Sequence, residues 1–539
     1  MNGMNKIVKC FLLIIIAFSQ LQGMAQKKAK PNILFIAIDD LKPILGCYGN
    51  KFIKTPNIDR LAKMGTVFMS NYVQQAVCGP TRASLMTGKR PDYTKVWDLK
   101  TRMRDVNPEI LSLPQYFITQ GYSTQGIGKV YDVRCVDKDI DKPSWSVPYY
   151  KTAKQYFPPQ MGEPSLDRYQ LPATKVLVEK YLKEAKDSGK SDADANAYAQ
   201  TKIKPSVENA DVPDNAYNDG ANMLAAKDIL GQLSKQNEPF FFAVGISKPH
   251  LPFIAPKKYW DLYKREEMPL AKFQEQSKNA VPVAYHNAGE LRGYTDIPPL
   301  TSFTDQKQYG LTLPPDKQKE LIHGYYAAIS YTDANVGILL NTLDSLGLTK
   351  NTIIVLWGDH GWHLGDHNLW CKHTNFEEAT RAPLIIAAPG IAPNKTRSQT
   401  EHIDIFPTLC DLAGVNIPAQ LDGKSLVPIM KNPGVTVKEY SVSQYPRSNA
   451  TAENERLGYV DANAMGYSLR TKQYRYTIWM KNGFRSTQPF NKDWIIGIEL
   501  YDYKKDPLET VNVVNEKKYQ AVSNNMNKKM MAFFKGQVK

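Results

Sequence analysis

Cys78 and Arg82 are the first residues whose types and spacing suggest chemistry, with Pro80 between them and Thr87-Gly88 following. Residues four apart share one face of a helix, so the Arg82 guanidinium would lie beside position 78 and could hydrogen-bond a nucleophile there. Pro80 suits the first turn of such a helix, and the free amides of a helix N-terminus favour an anion. A lone cysteine at a turn is more often a buried or redox-active residue. The chemical interpretation therefore depends on what else the chain brings to this site.

Two short apolar runs end in residue types that bind metals. Residues 31–38 lead into Asp39-Asp40, and residues 352–358 lead into Asp359-His360. Both runs are rich in β-branched residues and predict buried parallel strands, whose carboxyl ends gather at one edge of an open α/β sheet. Carboxylates with one imidazole suit Ca²⁺ better than a soft metal. An Asp pair after a strand is by itself more often a turn or a helix cap, and its joint occurrence with Cys78 favours the metal site.

The segments between these runs predict the rest of the architecture. A third apolar run at 239–246 leads to His250, and residues 322–346 have the apolar spacing of a long helix that covers the sheet. Residues 138–219 are polar and irregular, which predicts inserted loops. Beyond a break at Pro433-Gly434, short runs of β-branched and aromatic residues predict a smaller sheet.

The N-terminus predicts a secretory signal peptide. Lys6 and Lys9 precede an apolar run, and Gly23-Met24-Ala25 offers a cleavage site. No other stretch is long and apolar enough to predict a transmembrane anchor. The expected units are a signal peptide at 1–25, a catalytic domain at 26–432 with inserted loops at 138–219, and a C-terminal subdomain at 433–539. We therefore expect a periplasmic or secreted protein.

Charge and cysteine content restrict the classes of function. The formal net charge is +15 at pH 7, which favours anionic substrates. The lysines are spread along the chain and the usual nucleic-acid-binding motifs do not occur, which disfavours nucleic acid as a partner. The cysteines that follow the predicted signal peptide are Cys47, Cys78, Cys135, Cys371 and Cys410. An odd number leaves at least one unpaired, and any pairing among the four other than Cys78 stays open.

The segment around Cys78 matches the signature C-x-P-x-R-x4-T-G, and together with the acidic strand ends it makes the chain resemble the type I sulfatases of the alkaline phosphatase superfamily, most of all the iduronate-2-sulfatase branch. The resemblance covers nearly the whole mature chain. Its further marks are Thr55 to Asp59, Gly128-Lys129-Val130, Lys248-Pro249-His250, Asp359 to Trp362, Trp370-Cys371-Lys372, Ser443 to Arg447 and Glu499 to Asp502. The histidine after Asp359 is typical of the iduronate-type branch. The implied fold is α/β, with a large mixed, mostly parallel sheet flanked by helices and a smaller C-terminal α+β subdomain.

The resemblance also implies roles for the matched residues. Cys78 would be converted to formylglycine (3-oxoalanine), whose hydrate supplies the nucleophilic oxygen, and the maturation enzyme that converts it would be a partner. The residues implied to hold one Ca²⁺ are Asp39, Asp40, Cys78, Asp359 and His360. Arg82 would stabilise the diol, and Lys129 and Lys372 would bind the sulfate oxygens. His250 would protonate the leaving sugar oxygen, a role that suits an imidazole. Outside this context each lysine would be an ordinary surface residue.

One position departs from the iduronate-type pattern. Asp132 stands where the second active-site histidine of the pattern Gly-Lys-Val-Phe-His would be. A carboxyl group does not donate a proton at neutral pH unless its pKa is raised, so Asp132 is expected to contact the sugar or to orient a neighbour. Trp362 and His363 are further predicted pocket residues. The departure bears on substrate identity more than on the type of reaction.

The expected function is hydrolysis of a sulfate ester on a sugar of a sulfated polysaccharide or its oligosaccharides. The iduronate or uronate 2-O-sulfate type is expected, from a glycosaminoglycan or an algal ulvan-like glycan. One alternative is a phosphodiesterase or phosphonate hydrolase, because the superfamily interchanges sulfuryl and phosphoryl transfer. Another is a non-catalytic glycan-binding homologue, which predicts damaged site residues, whereas all of those named above are present.

Overall fold

The computed structural model describes residues 30–298, 310–447, 464–481 and 484–537. The predicted signal peptide at 1–25 lies outside these residues. Over the described ranges, no helix has both the length and the apolar composition needed to cross a membrane. From Asn32 onward the described residues form one compact unit, and a domain boundary at 432/433 stays a prediction.

Seven strands form the large sheet that carries the site. They are β1 (Asn32–Ile38), β2 (Thr66–Phe68), β3 (Ser123–Gly128), β4 (Phe240–Ile246), β5 (Thr352–Gly358), β6 (Leu384–Ala387) and β7 (Asn394–Thr396), in the spatial order β7-β2-β6-β5-β1-β4-β3. β6 is antiparallel to both of its neighbours, and the other neighbouring pairs are parallel. β1, β4 and β5 are buried at every residue, as expected for apolar strands covered on both faces. The predicted mixed, mostly parallel sheet is confirmed.

Helices cover both faces of this sheet. The helices of the described residues are α1 (Pro56–Ala62), α2 (Cys78–Thr87), α3 (Pro91–Thr94), α4 (Met103–Val106), α5 (Leu113–Thr119), α6 (Pro172–Asp187), α7 (Asp192–Lys202), α8 (Asn218–Leu233), α9 (Lys257–Trp260), α10 (Gly289–Arg292), α11 (Pro315–Ser345), α12 (Glu377–Thr380), α13 (Ile405–Leu412), α14 (Val427–Lys431) and α15 (Gln520–Gln537). Alternate residues of β1 enter two different cores, because successive side chains of a strand point to opposite faces. Ile36 packs in the core that contains Leu339 of α11, and Phe35 packs in the core that contains Phe406 of α13.

The long helix begins earlier than its apolar spacing predicts. The spacing predicts a helix over 322–346, whereas α11 starts at Pro315. The first turns carry mostly polar side chains, so hydrophobic periodicity does not reveal them. Pro315 itself marks the start, because a proline ring suits the first helical turn.

A second, smaller sheet follows in the C-terminal part of the chain. Its antiparallel strands are β8 (Tyr440–Arg447), β9 (Ala464–Thr471), β10 (Tyr474–Lys481) and β11 (Ile495–Asp502), in sequence order. α15 packs on it through Met526, Met530 and Phe534, which share one apolar core with Leu469 and Ile478. This is the predicted smaller α+β part. Two-residue strand pairs elsewhere join 71–72 to 400–401, 207–208 to 253–254 and 363–364 to 370–371.

The segment 138–219 is more ordered than its composition predicts. We expected inserted loops there, but α6 and α7 lie within it. Both are rich in alanine and long polar residues that favour helix, and Ser191 caps α7 by accepting a hydrogen bond from the Asp194 amide. The apolar stripe of these helices is short, which is why the pattern does not predict them.

Candidate active site

Three elements meet at the carboxyl edge of the large sheet. β1 leads into Asp39 and Asp40, its parallel neighbour β5 leads into Asp359 and His360, and α2 begins at Cys78. The strands are paired up to their last residues, so the residues that follow them lie side by side. The structure therefore brings the residues of the sequence-predicted metal site together.

The side chains at this edge form a close, buried cluster. Ligand atoms of Asp40, Cys78, Asp359 and His360 all lie within 4.8 Å of one another. His360 Nε2 is 3.3 Å from Asp40 Oδ1 and 3.6 Å from Asp359 Oδ1. Cys78 Sγ is 3.5 Å from His360 Nε2. All four side chains are buried, so water cannot screen their charges.

This donor set fits a divalent cation. Asp40 and Asp359 bring two carboxylates to one buried point, and burying like charges is costly unless a cation compensates them. Burial raises the pKa of Asp359 despite the opposing charge of His360. Asp39 joins a second, overlapping group of ligand atoms with Asp40 and Cys78. Because most of these donors are carboxylate oxygens, the cluster favours a hard cation.

Asp40 has an unusual backbone conformation. Its φ is 58°, in the left-handed region that aspartate tolerates better than most residues. Its backbone amide donates a hydrogen bond to Asp359 Oδ1 at 2.9 Å, and Tyr325 Oη donates to its carbonyl at 2.6 Å. Strained conformations of this kind persist where surrounding contacts fix them, and they concentrate at functional sites.

Arg82 holds the acidic residues in place. Its Nη2 lies 3.1 Å from Asp39 Oδ1 and its Nε lies 3.0 Å from Asp359 Oδ2, with all three side chains fully buried. Its Nη1 donates to the carbonyls of Val130 and Lys129. These bonds use four of the five N–H groups of a guanidinium, which leaves one on Nη2. Arg82 therefore positions the carboxylates of Asp39 and Asp359.

The Cys78 thiol is in a poor environment for a nucleophile. Burial, together with the charge of Asp39, raises the pKa of Cys78 well above its ordinary value. The thiolate is the reactive form of cysteine, so the unmodified side chain stays protonated and unreactive near neutral pH. An activity that depends on position 78 therefore requires chemistry other than that of a thiolate.

Two lysines and one histidine surround the aspartates. Lys129 Nζ contacts Asp39 Oδ2, and Lys372 Nζ is 3.1 Å from Asp40 Oδ1. Burial alone would lower the pKa values of both lysines, but the aspartates raise them above the ordinary value, so both are ammonium ions. His250 Nε2 is 3.7 Å from Asp40 Oδ2. The structure thus brings the predicted site lysines and His250 together around Asp39 and Asp40.

Hydrogen bonds from Lys248 and to Asp219 hold the loop that carries His250. Lys248 Nζ donates to the carbonyls of His250 and Pro252 at 2.6 and 2.8 Å. Asp219 accepts hydrogen bonds from the amides of Ser247 and Lys248. His250 Nδ1 donates to the Leu251 carbonyl at 2.6 Å, which leaves Nε2 facing the aspartates.

Glu290 and His373 are site residues that the sequence does not reveal. Glu290 Oε1 lies 2.8 Å from Lys372 Nζ and 3.2 Å from His250 Nε2, and its Oε2 lies 3.7 Å from His373 Nε2. Burial alone would raise the pKa of Glu290, but Lys372 and His250 hold it well below its ordinary value. Glu290 lies on the four-residue helix α10, in no recognised motif. Only the position of His373, directly after Lys372, could have signalled its presence.

The other predicted pocket residues are buried. Trp362 is buried, and Lys372 Nζ lies 4.8 Å from the centre of its ring, a distance suited to a cation–π contact. His363 is also buried, and its Nε2 is 2.9 Å from Thr374 Oγ1. Asp132 is buried against Arg134. Trp362 packs against Lys372, and neither Trp362 nor His363 presents an exposed surface.

Family models and a human relative match most of the chain. A family model described as Sulfatase matches residues 31–415, and one described as N-sulphoglucosamine sulphohydrolase, C-terminal, matches residues 365–535. Iduronate 2-sulfatase of Homo sapiens is 33% identical over 536 residues, which span 90% of this chain and 91% of that protein.

Solved structures show the same fold. A protein solved in complex with its substrate D-glucosamine-2-N,6-O-disulfate has a TM-score of 0.64 at 21% identity, covering 94% of this chain and 98% of its own. Phosphonate monoester hydrolase of Agrobacterium radiobacter has a TM-score of 0.66 at 22% identity, covering 94% and 96%. The predicted alkaline-phosphatase-like fold is confirmed. Because the family model matches most of the chain and the human relative is similar over nearly its whole length, the chain belongs to the sulfatase family and is a sulfuric ester hydrolase.

Proposed function

We propose that the protein is an exported, calcium-dependent sulfatase that hydrolyses a 2-O-sulfate ester on a uronic-acid sugar and uses formylglycine made from Cys78. The observation that carries this proposal is the buried cluster at the ends of β1 and β5, with Cys78 inside it and Lys129 and Lys372 beside it. An anionic ester placed there would meet two ammonium groups and a metal-binding site at once.

The residues present fit both implied groups. Asp39, Asp40, Asp359 and His360, with the side chain at position 78, would hold Ca²⁺. The ion supplies positive charge to the sulfuryl oxygens, and formylglycine supplies an oxygen nucleophile where the buried thiol is unreactive. A maturation enzyme acting on Cys78 before folding is the required partner, since Cys78 is 1% exposed in the folded chain.

The remaining residues bind the ester and move its proton. Lys129 and Lys372 bind sulfate oxygens and stabilise the charge that develops on them. His250 holds Nε2 toward the site, because its Nδ1–H is donated to the Leu251 carbonyl. As an imidazolium it also carries a proton on Nε2, and it donates this proton to the leaving sugar oxygen and becomes the neutral ring. Arg82 keeps the acidic residues in position through its hydrogen bonds to Asp39 and Asp359.

The sugar assignment is supported by the similarity to human iduronate 2-sulfatase along 90% of this chain. The net charge of +15 favours long anionic substrates. A glycosaminoglycan or an algal ulvan-like glycan supplies sulfated uronic acids. Export through the signal peptide at 1–25, and a catalytic domain at 26–432 followed by a subdomain at 433–539, are parts of the same proposal.

The test is sulfate release from defined oligosaccharides. The panel contains 2-O-sulfated uronate disaccharides, heparin and chondroitin fragments and ulvan fragments, and the protein is one whose conversion at position 78 has been measured by mass. Release from the 2-O-sulfated uronates supports the proposal. Release only from sugars sulfated elsewhere would refute the uronate assignment and leave the sulfatase chemistry in place.

A phosphoester or phosphonate hydrolase is the second candidate, because the fold is shared with phosphonate monoester hydrolase of Agrobacterium radiobacter at a TM-score of 0.66. Parallel kinetics on sulfate and phosphate esters of one alcohol separate the two. A kcat/KM higher for the phosphate ester would favour this candidate over ours.

A further inference from the structure

Asp132 stands where the iduronate-type pattern has its second active-site histidine, and both of its carboxylate oxygens accept hydrogen bonds from Arg134. Its Oδ1 accepts hydrogen bonds from the Arg134 amide at 3.0 Å and from Arg134 Nε at 2.9 Å, and its Oδ2 accepts from Arg134 Nη2 at 2.7 Å. The Asp132 side chain is 2% exposed, whereas that of Arg134 is 50% exposed. Asp132 is therefore the buried anchor of a guanidinium that reaches the surface.

The loop that carries this pair lies against the active site. It follows β3 directly and begins with Lys129, and Arg82 donates hydrogen bonds to its first two carbonyls. At its other end, Cys135 packs against Gly79 so closely that a Cβ at Gly79 would overlap Cys135 Sγ. Arg134 thus lies on a loop that begins at Lys129 and packs at its other end against the residue next to Cys78. Burial alone would raise the pKa of Asp132, but Arg134 and Lys129 lower it, so the Asp132–Arg134 pair lies within electrostatic reach of Lys129. The hydrogen bonds to Asp132 raise the pKa of Arg134 above its ordinary value.

The exposed Arg134 guanidinium has N–H groups that are not used in its hydrogen bonds to Asp132. The pair with Asp132 uses Nε–H and one N–H of Nη2, so three of the five N–H groups remain. Within the described ranges, Arg134 has no ion-pair partner besides Asp132. A guanidinium with a free, planar edge binds carboxylate or sulfate groups with two hydrogen bonds, and a buried carboxylate behind it fixes its direction.

We infer that Arg134, oriented by Asp132, is a specificity-determining residue that binds a second anionic group of the substrate beside the sulfate that is cleaved. The inference rests on the proposed sulfatase function and deepens it. The chemistry that Arg134 recognises is an oxyanion, supplied either by the carboxylate of a uronic acid or by a second sulfate. Where the iduronate-type pattern has a histidine, this chain has Asp132, and the positive charge is instead carried by Arg134, two residues later in the chain.

The experiment separates binding from turnover. The Cys78→Ala protein is titrated calorimetrically with a 2-O-sulfated uronate disaccharide, with the same disaccharide whose carboxyl is reduced to an alcohol, and with a disulfated disaccharide that lacks a carboxylate. Arg134→Met in this background should weaken binding of the uronate or of the disulfated sugar about 10- to 100-fold, and should leave binding of the reduced monosulfated sugar unchanged. Whichever ligand is weakened identifies the source of the oxyanion.

Asp132→Asn should produce the same selective loss at smaller size, because the guanidinium remains but is no longer anchored. Arg60→Met is the matched control, since Arg60 is a partly exposed arginine paired with Asp344 at the surface. Equal weakening of all three ligands by Arg134→Met, or no weakening, would overturn the inference. Failure of the proposed function shows separately, as an absence of sulfate release by the converted wild-type protein from every sugar tested.

Discussion

Replacing Glu290 by glutamine keeps the shape of the side chain and removes its charge. Glu290 Oε1 is 2.8 Å from Lys372 Nζ and 3.2 Å from His250 Nε2, so one oxygen orients both the amine proposed to bind sulfate and the proposed proton donor. A hydrogen bond to a charged group contributes about 1.5 to 3 kcal/mol, and about 1.4 kcal/mol corresponds to a factor of ten in rate. We therefore expect kcat to fall about 10- to 100-fold. KM should change less than kcat, because Glu290 has the same sign of charge as the sulfate, and removal of that repulsion offsets the looser orientation of Lys372.

The assay is steady-state sulfate release from a 2-O-sulfated uronate disaccharide by the wild type and the Glu290→Gln variant. Glu320→Gln is the control, because Glu320 also contacts two cations, Lys317 at 2.8 Å and Arg265 at 3.3 Å, and its side chain is 25% exposed against 21% for Glu290. The control should keep the wild-type kcat and KM. A raised KM with unchanged kcat in Glu290→Gln would refute the reasoning, because it would make Glu290 a substrate-binding group.

A double variant tests whether Glu290 acts through its neighbour. In a His250→Ala background, Glu290→Gln should cost less than it does in the wild type, because residues that act as a unit are not additive. The same fold-loss in both backgrounds would show that Glu290 does not work through His250.

Three further predictions concern the metal cluster and the acid stability of the fold. Arg82→Leu leaves two buried carboxylates without their counterion and should destabilise the fold by about 3 to 5 kcal/mol in chelator, as measured by denaturant unfolding, with a smaller loss in Ca²⁺; equal losses would contradict compensation by a cation. Treating the wild type with EDTA should lower Tm and abolish sulfate release, with Ca²⁺ restoring both, and an unchanged Tm would argue against a metal at this site. Burial alone would raise the pKa of Glu401, but Arg90 and Lys438 lower it from 4.5 to about 2; the stability this contributes is present above pH 4.5 and is lost as pH falls toward 2. Glu401→Gln should therefore flatten the dependence of the unfolding free energy on pH in this range, and an unchanged slope would contradict the assignment.

The central strands were predictable from sequence because their chemistry is local. β1 and β5 are apolar at nearly every residue, and parallel strands align their carboxyl ends, so the acids that follow them had to meet. The helix that begins at Cys78 follows from the proline two residues later. The short spacing between Cys78 and Arg82 places both residues on α2. It does not predict that the Arg82 guanidinium donates hydrogen bonds to Asp39 and Asp359.

The remainder of the site depends on tertiary contacts that no local pattern encodes. Glu290 enters from a four-residue helix forty positions after His250, and its partners come from two other segments. Arg134 is adjacent to a recognisable motif, but only the structure shows that Asp132 is buried and commits both oxygens to it. Helices α6 and α7 escaped prediction because they bury few apolar residues, so composition alone suggested loops.

The most direct test of the account is the dependence of turnover on conversion at position 78. The protein is produced with graded amounts of a formylglycine-generating enzyme, the converted fraction is measured by mass, and kcat is measured on a 2-O-sulfated uronate disaccharide in Ca²⁺. The account predicts that kcat rises in proportion to the converted fraction and that Cys78→Ala, correctly folded by its Tm, releases no sulfate. A rate that does not depend on the converted fraction, or a Cys78→Ala protein that retains turnover, would contradict it.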